Sequence, residues 1–191
     1  MMKGKKTISA VVASSYSVYS SILSGEKHLP DGRLVLDEED SHPECRRKTV
    51  DVILKGQLEP LSLVARGNLT FAQKYSLALF DPSYMQQACC RFDSYGKPHT
   101  NFNSGKSLKE SRVHTPHFHR FDQNGVEIAY RTPYLDKHAS EVVSNRDKGF
   151  KCFLDEENIV CDNNLVEIKN DGLFQPEEKE EDILKGVSFD E

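Results

Sequence analysis

His117-Phe118-His119 is the pair in this chain best placed to do chemistry, because imidazoles two positions apart on a strand project from the same face. Two more histidines lie upstream, His114 and the His99 of Pro98-His99-Thr100-Asn101. Between residues 91 and 120 the cations Arg91, Lys97, Lys106, Lys109, Arg112 and Arg120 face only Asp93 and Glu110, a local net charge of +4. Imidazole exchanges protons near neutrality and also ligates zinc, copper, nickel and ferrous iron.

Three readings follow. In the first the protein is RNase-like and acts on a phosphodiester without a cofactor. His117 and His119 serve as acid and base, His99 orients the substrate, and Asp93 fixes a histidine tautomer. Arg91, Lys97, Asn101, Arg112 and Arg120 hold the phosphate of RNA or another phosphate-containing ligand. Arg120 is counted with these cations although alternation puts it, with Phe118, on the other face of the strand. In the second reading His117 and His119 bind a transition metal, with His99, His114 or Asp93 completing the shell. In the third the histidines are satisfied polar residues at the edge of a core.

The elements that must position these residues follow from pattern. Residues 48–55, 61–66, 74–80 and 87–93 read as strands separated by short turns, which is most simply an antiparallel meander. Residues 117–121 and 126–130 form a further pair across Asp122-Gln-Asn-Gly125, a strong hairpin signal. An N-terminal helix is expected over 7–23, a turn over 27–31 and a short strand over 33–37. A C-terminal helical segment is expected over 135–154, broken near Lys148-Gly149. Residues 96–116 show no periodicity, and a connection of that length is often functional. No strand–helix–strand alternation occurs, so the fold class is α+β.

Composition sets the outer limits. The chain has 191 residues, 37% hydrophobic and 29% charged, with no tryptophan. That is enough for one domain, placed at 1–165, with an acidic extension over 166–191. Net charge is −5, but residues 155–191 carry thirteen acids against three lysines, leaving the remainder mildly basic. Five cysteines without a Cys-x-x-Cys spacing point to buried thiols in a reducing compartment, hence the cytoplasm. No stretch has the ~18 apolar residues of a membrane span. Asp155-Glu-Glu157 with Asp162 lacks the pattern of a calcium loop.

The segments Cys90-Arg-Phe-Asp93, Gly96-Lys-Pro-His-Thr-Asn101 and Thr115-Pro-His-Phe-His119 together resemble a family of uncharacterised small bacterial and phage proteins. That family's pattern is Arg-x-Asp, Gly-x-Pro-His-Thr-Asn, then Pro-His-x-His, and the likeness covers about residues 15–160. Arg91, Asp93, His99, Asn101, His117 and His119 match its positions, while Phe102-Asn-Ser-Gly105 departs from it. The resemblance implies a toxin-like or mobile-element accessory protein. A non-catalytic version of that role is a mobile-element or anti-defence binding protein whose acidic tail engages a basic protein partner.

Overall fold

The alternating apolar residues between 45 and 93 build the centre of a sheet. The computed structural model describes residues 7–101, 107 and 109–170. Two short helices, α1 (Ala10–Ser14) and α2 (Tyr16–Ser24), precede strands β1 (Lys27–Leu29), β2 (Arg33–Leu36) and β3 (Glu38–Glu39). The long central strands are β4 (Cys45–Leu54), β5 (Leu61–Asn68), β6 (Tyr75–Phe80) and β7 (Cys90–Asp93). A small hairpin of β8 (His99–Thr100) and β9 (Arg112–Val113) leads to β10 (His117–Phe121) and β11 (Glu127–Tyr130). Helices α3 (Pro133–Ser144) and α4 (Arg146–Glu156) and strands β12 (Ile159–Cys161) and β13 (Glu167–Asn170) close the described chain.

The main sheet runs β11-β10-β7-β6-β5-β4-β1-β12, with β3 paired on β4. From β4 to β11 its neighbours are antiparallel, so the meander is borne out. The sheet is mixed, because β12 lies parallel to β1, and β13 lies parallel to β2 in a separate pair. Residues 27–29, expected in a turn, are the strand β1, because its backbone groups are taken by both β4 and β12. The N-terminal helix is divided at Ser15, and the C-terminal segment breaks at Asn145 rather than near Gly149. Asn145 itself caps α4, its side chain accepting from the Lys148 N–H. The strand β13 draws the first residues of the expected acidic extension into the fold, and residues 171–191 lie outside the described residues.

One face of the sheet carries the core. Leu63, Leu77, Leu79, Phe92 and Phe118 alternate onto it and meet Phe150 and Phe153 of α4. The rings of Phe92 and Phe118 lie 5.1 Å apart, and Phe118 stacks at 6.5 Å from Phe153. Burying each such side chain contributes roughly 1.5–3 kcal/mol. The other face presents Ser62, Val64, Arg66, Ser76, Ala78, Arg91 and Asp93, all half-buried or exposed. His117 and His119 share that polar face yet are buried.

Their cover is the β8–β9 hairpin, which occupies part of the stretch expected to be irregular. Asn101 fastens it. Its amide accepts from Ala129 N at 2.8 Å and donates to Ala129 O at 2.7 Å, so one side chain replaces a neighbouring strand at the edge of β11. The β10–β11 turn is the expected hairpin: Asp122 Oδ1 accepts from Asn124 N and Val126 N, and Gly125 takes φ +69°. A Cβ at Gly125 would meet Ser9 O at 2.1 Å, so α1 also rests on this turn.

Replacing Asn101 by Ala leaves both Ala129 backbone groups without their side-chain partner. A loss of about 1–3 kcal/mol in urea unfolding is expected, with faster exchange of the Ala129 amide. Unchanged exchange at Ala129 would mean that Asn101 does not anchor the hairpin.

Candidate metal centre

Antiparallel pairing builds the centre. His117 stands opposite Asp93, and His119 opposite Arg91, so four chemically active side chains occupy adjacent positions on one face of β7 and β10. The Nε2 atoms of His117 and His119 are 2.8 Å apart. Asp93 Oδ2 lies 3.2 Å from the His119 Nε2 and 3.9 Å from the His117 Nε2. These three separations define a point about 2.0 Å from every one of the three atoms, which is the length of a zinc–imidazole or zinc–carboxylate bond. Widening the nitrogen pair to about 3.3 Å gives the spacing of two donors on a tetrahedral ion. Among the described residues no other three His, Cys, Asp or Glu side chains converge in this way.

The surroundings orient the donors. Arg91 Nε donates to Asp93 Oδ2 at 3.0 Å, and its Nη1 lies 3.6 Å from Glu127 Oε1. Glu127 Oε1 in turn lies 3.5 Å from His119 Nδ1, so a carboxylate stands behind the ring whose Nε2 faces the centre. In metal-bound histidines a carboxylate in this place accepts the Nδ1 proton; here the contact is an ion-pair separation, longer than a hydrogen bond. Formally two carboxylates stand against one guanidinium here, a balance that favours a cation. The Nδ1 atoms of both rings are buried without a hydrogen-bond partner.

Electrostatics agree with the geometry. Burial, reinforced by the adjacent His119, pushes the His117 imidazole down to about 4. Burial and His119 lower His99 as well. Burial alone would raise Asp93, but the His119 hydrogen bond and the Arg91 guanidinium hold its carboxyl below the usual range. An unprotonated His117 and an ionised Asp93 are the forms that ligate metals.

The other expected site residues divide clearly. His99 reaches the cluster from the hairpin above, its ring centre 4.9 Å from that of His119 and 6.5 Å from that of His117. Asn101 anchors the hairpin as described, with both ends of its amide on Ala129. Lys97 and Arg112 are exposed and make no ion pair with the cluster. His114 meets Arg131 through its backbone, the carbonyl lying 3.4 Å from Nη1.

Arg120 does not belong with the expected phosphate ligands. Strand alternation turns it to the core face, where Nη2 lies 3.1 Å from Glu157 Oε1 and its guanidinium sits 5.3 Å from the Tyr130 ring centre. Glu127 is the residue that sequence reasoning missed. The Asn-Gly hairpin was a usable signal for it, since that register puts 127 on the same face as 119.

No family model, no curated protein and no solved structure matches this chain. The geometry therefore stands by itself. Among the described residues no helix is long and apolar enough to cross a membrane.

His117 should titrate with a midpoint near 4 in metal-free protein, followed through its ring protons by NMR. Its value is depressed from the 6.5 of a free imidazole. The unfolded chain therefore takes up this proton first, and stability is lost as pH falls from about 6.5 towards 4 and is fully present above that window. A midpoint at or above 6.5 would contradict the burial on which the site depends.

Proposed function

We propose that the protein binds one divalent transition metal through Asp93 Oδ2, His117 Nε2 and His119 Nε2. The single observation that carries this reading is the common point at bonding distance from all three atoms. Three protein donors with a position left over is the donor count of catalytic zinc sites, whereas structural sites close with four. Two imidazoles and one carboxylate also suit ferrous iron. Water on such an ion ionises near neutral pH, at about 7 on zinc. Metal-assisted hydrolysis is accordingly the activity this donor set supports best.

Each residue has a part. Asp93 and the two imidazoles would hold the ion, Glu127 would orient His119, and Arg91 would fix the Asp93 carboxylate. His99, whose ring centre is 4.9 Å from that of His119, would be the overlying group available to act on substrate. A metal-free acid–base reaction on a phosphodiester draws less support. His117 at about 4 is neutral at pH 7 and lacks the acidic proton of an imidazolium, Arg91 is committed to Asp93 and Glu127, and Arg120 faces the core.

Metal analysis of the full chain, loaded with first-row divalent ions and then desalted, tests the proposal. About one ion per chain is expected, and none in the His117→Ala/His119→Ala double variant. Glu127→Gln should retain the fold but weaken metal affinity by roughly 10–100-fold. A wild-type chain that retains no ion under any loading condition would remove the proposal.

A further inference from the structure

Asp93 has a second role in the architecture, because it forms the wall of a cleft of about 220 Å³. Register explains its position. Arg66 of β5 stands opposite Ser76 of β6, Ser76 opposite Asp93 of β7, and Asp93 opposite His117 of β10. One row of polar side chains therefore runs across four strands, and at ~4.8 Å per strand Arg66 lies about 10 Å from Asp93. The cleft follows this row and is also lined by Lys74, His42 and Tyr95. It thus opens directly onto one of the three donors of the proposed centre.

Charge and size narrow the occupant. Arg66 is matched by Asp40, its Nε lying 2.6 Å from Oδ2. Lys74 is exposed, and its ammonium makes no hydrogen bond or ion pair among the described residues. With a divalent ion at Asp93, the cleft has positive charge at its inner end and an uncommitted cation at its side. Its volume lies below the ~300 Å³ at which pockets for drug-sized ligands begin. Tyr95, half exposed and packed edge-on at 5.0 Å against Phe71, forms an aromatic rim.

We infer that this cleft is the substrate pocket of the proposed centre and takes a small molecule bearing an oxyanion, phosphate or carboxylate, with Lys74 as its counter-charge. The inference rests on the metal-centre reading and adds the substrate class to it. In this reading Lys74 and Tyr95, which line the same cleft as Asp93, would meet the oxyanion and the remainder of the molecule respectively.

Cobalt(II)-loaded full-length protein provides the test, with inorganic phosphate and acetate as probes and the visible cobalt absorption as readout. At least one anion should shift the absorption saturably, and the tighter of the two identifies the oxyanion the cleft prefers. Lys74→Ala should raise the apparent Kd roughly tenfold or more, the worth of one charge-assisted hydrogen bond, at unchanged cobalt content. Lys74→Arg should restore binding. Bound cobalt whose spectrum neither anion alters, or a Lys74→Ala variant that titrates like wild type, overturns this inference and leaves the metal centre standing. A chain that takes up no cobalt overturns both.

Discussion

The pairing of β10 with β7 is the constraint on which the rest depends. Hydrogen bonds between two antiparallel backbones admit one register here, and that register sets His117 against Asp93 and His119 against Arg91. A slip by one residue would turn both imidazoles into the core and bring Phe118 out to the polar face. The apolar side of the same strands opposes any such slip, since Phe118 is fully buried between Phe92 and Phe153. Core packing thus enforces the geometry of the site on the other side of the sheet.

The reverse of β10 carries a second polar arrangement that is structural in character. Arg120 pairs with Glu157, which is wholly buried and whose carboxyl is pushed up by that burial against the opposing guanidinium. Lys27, also wholly buried, donates to the carbonyls of Leu23, Gly25 and Glu157, each at 2.8 Å. Those carbonyls lie at the ends of α2 and α4, where helices leave backbone acceptors unfilled. One ammonium therefore ties both helices to β1. Burial lowers its affinity for a proton, yet the three oxygens satisfy all three of its donors. Arg120 Nη2 is thus held within the fold by Glu157 Oε1 and the Glu156 carbonyl, while Arg120 Nε and Glu157 Oε2 are buried without a hydrogen-bond partner.

The hairpin above the histidines links fold to chemistry. Polar faces of antiparallel sheets ordinarily meet water, and Ser76 and Arg66 on this sheet do so. Where β8 and β9 fold over it the two imidazoles are removed from solvent, and there His117 is depressed. Asn101 holds that cover through two hydrogen bonds to a single residue of β11. Dryness at the centre and the position of His99 therefore have a common cause.

Several features were legible in the residues themselves. The α+β class, the meander from β4 to β7, the Asn-Gly hairpin and the shared face of His117 and His119 all depend on contacts between neighbours in the chain, which local pattern encodes. Asp93 was named as a candidate partner of the histidines, but its distance of 3.2 Å from His119 came from a pairing between residues more than twenty positions apart. The strand β1 was read as a turn because three residues carry too little pattern to outweigh the Pro30-Asp31-Gly32 that follows them. Glu127, the Arg66-to-His117 row and the inward turn of Arg120 exist only once strand order and register are set. By itself the sequence determined which side chains could act as ligands and that two of them share a face. Tertiary structure decided what they converge with, because register and burial arise from long-range packing that no local spacing contains.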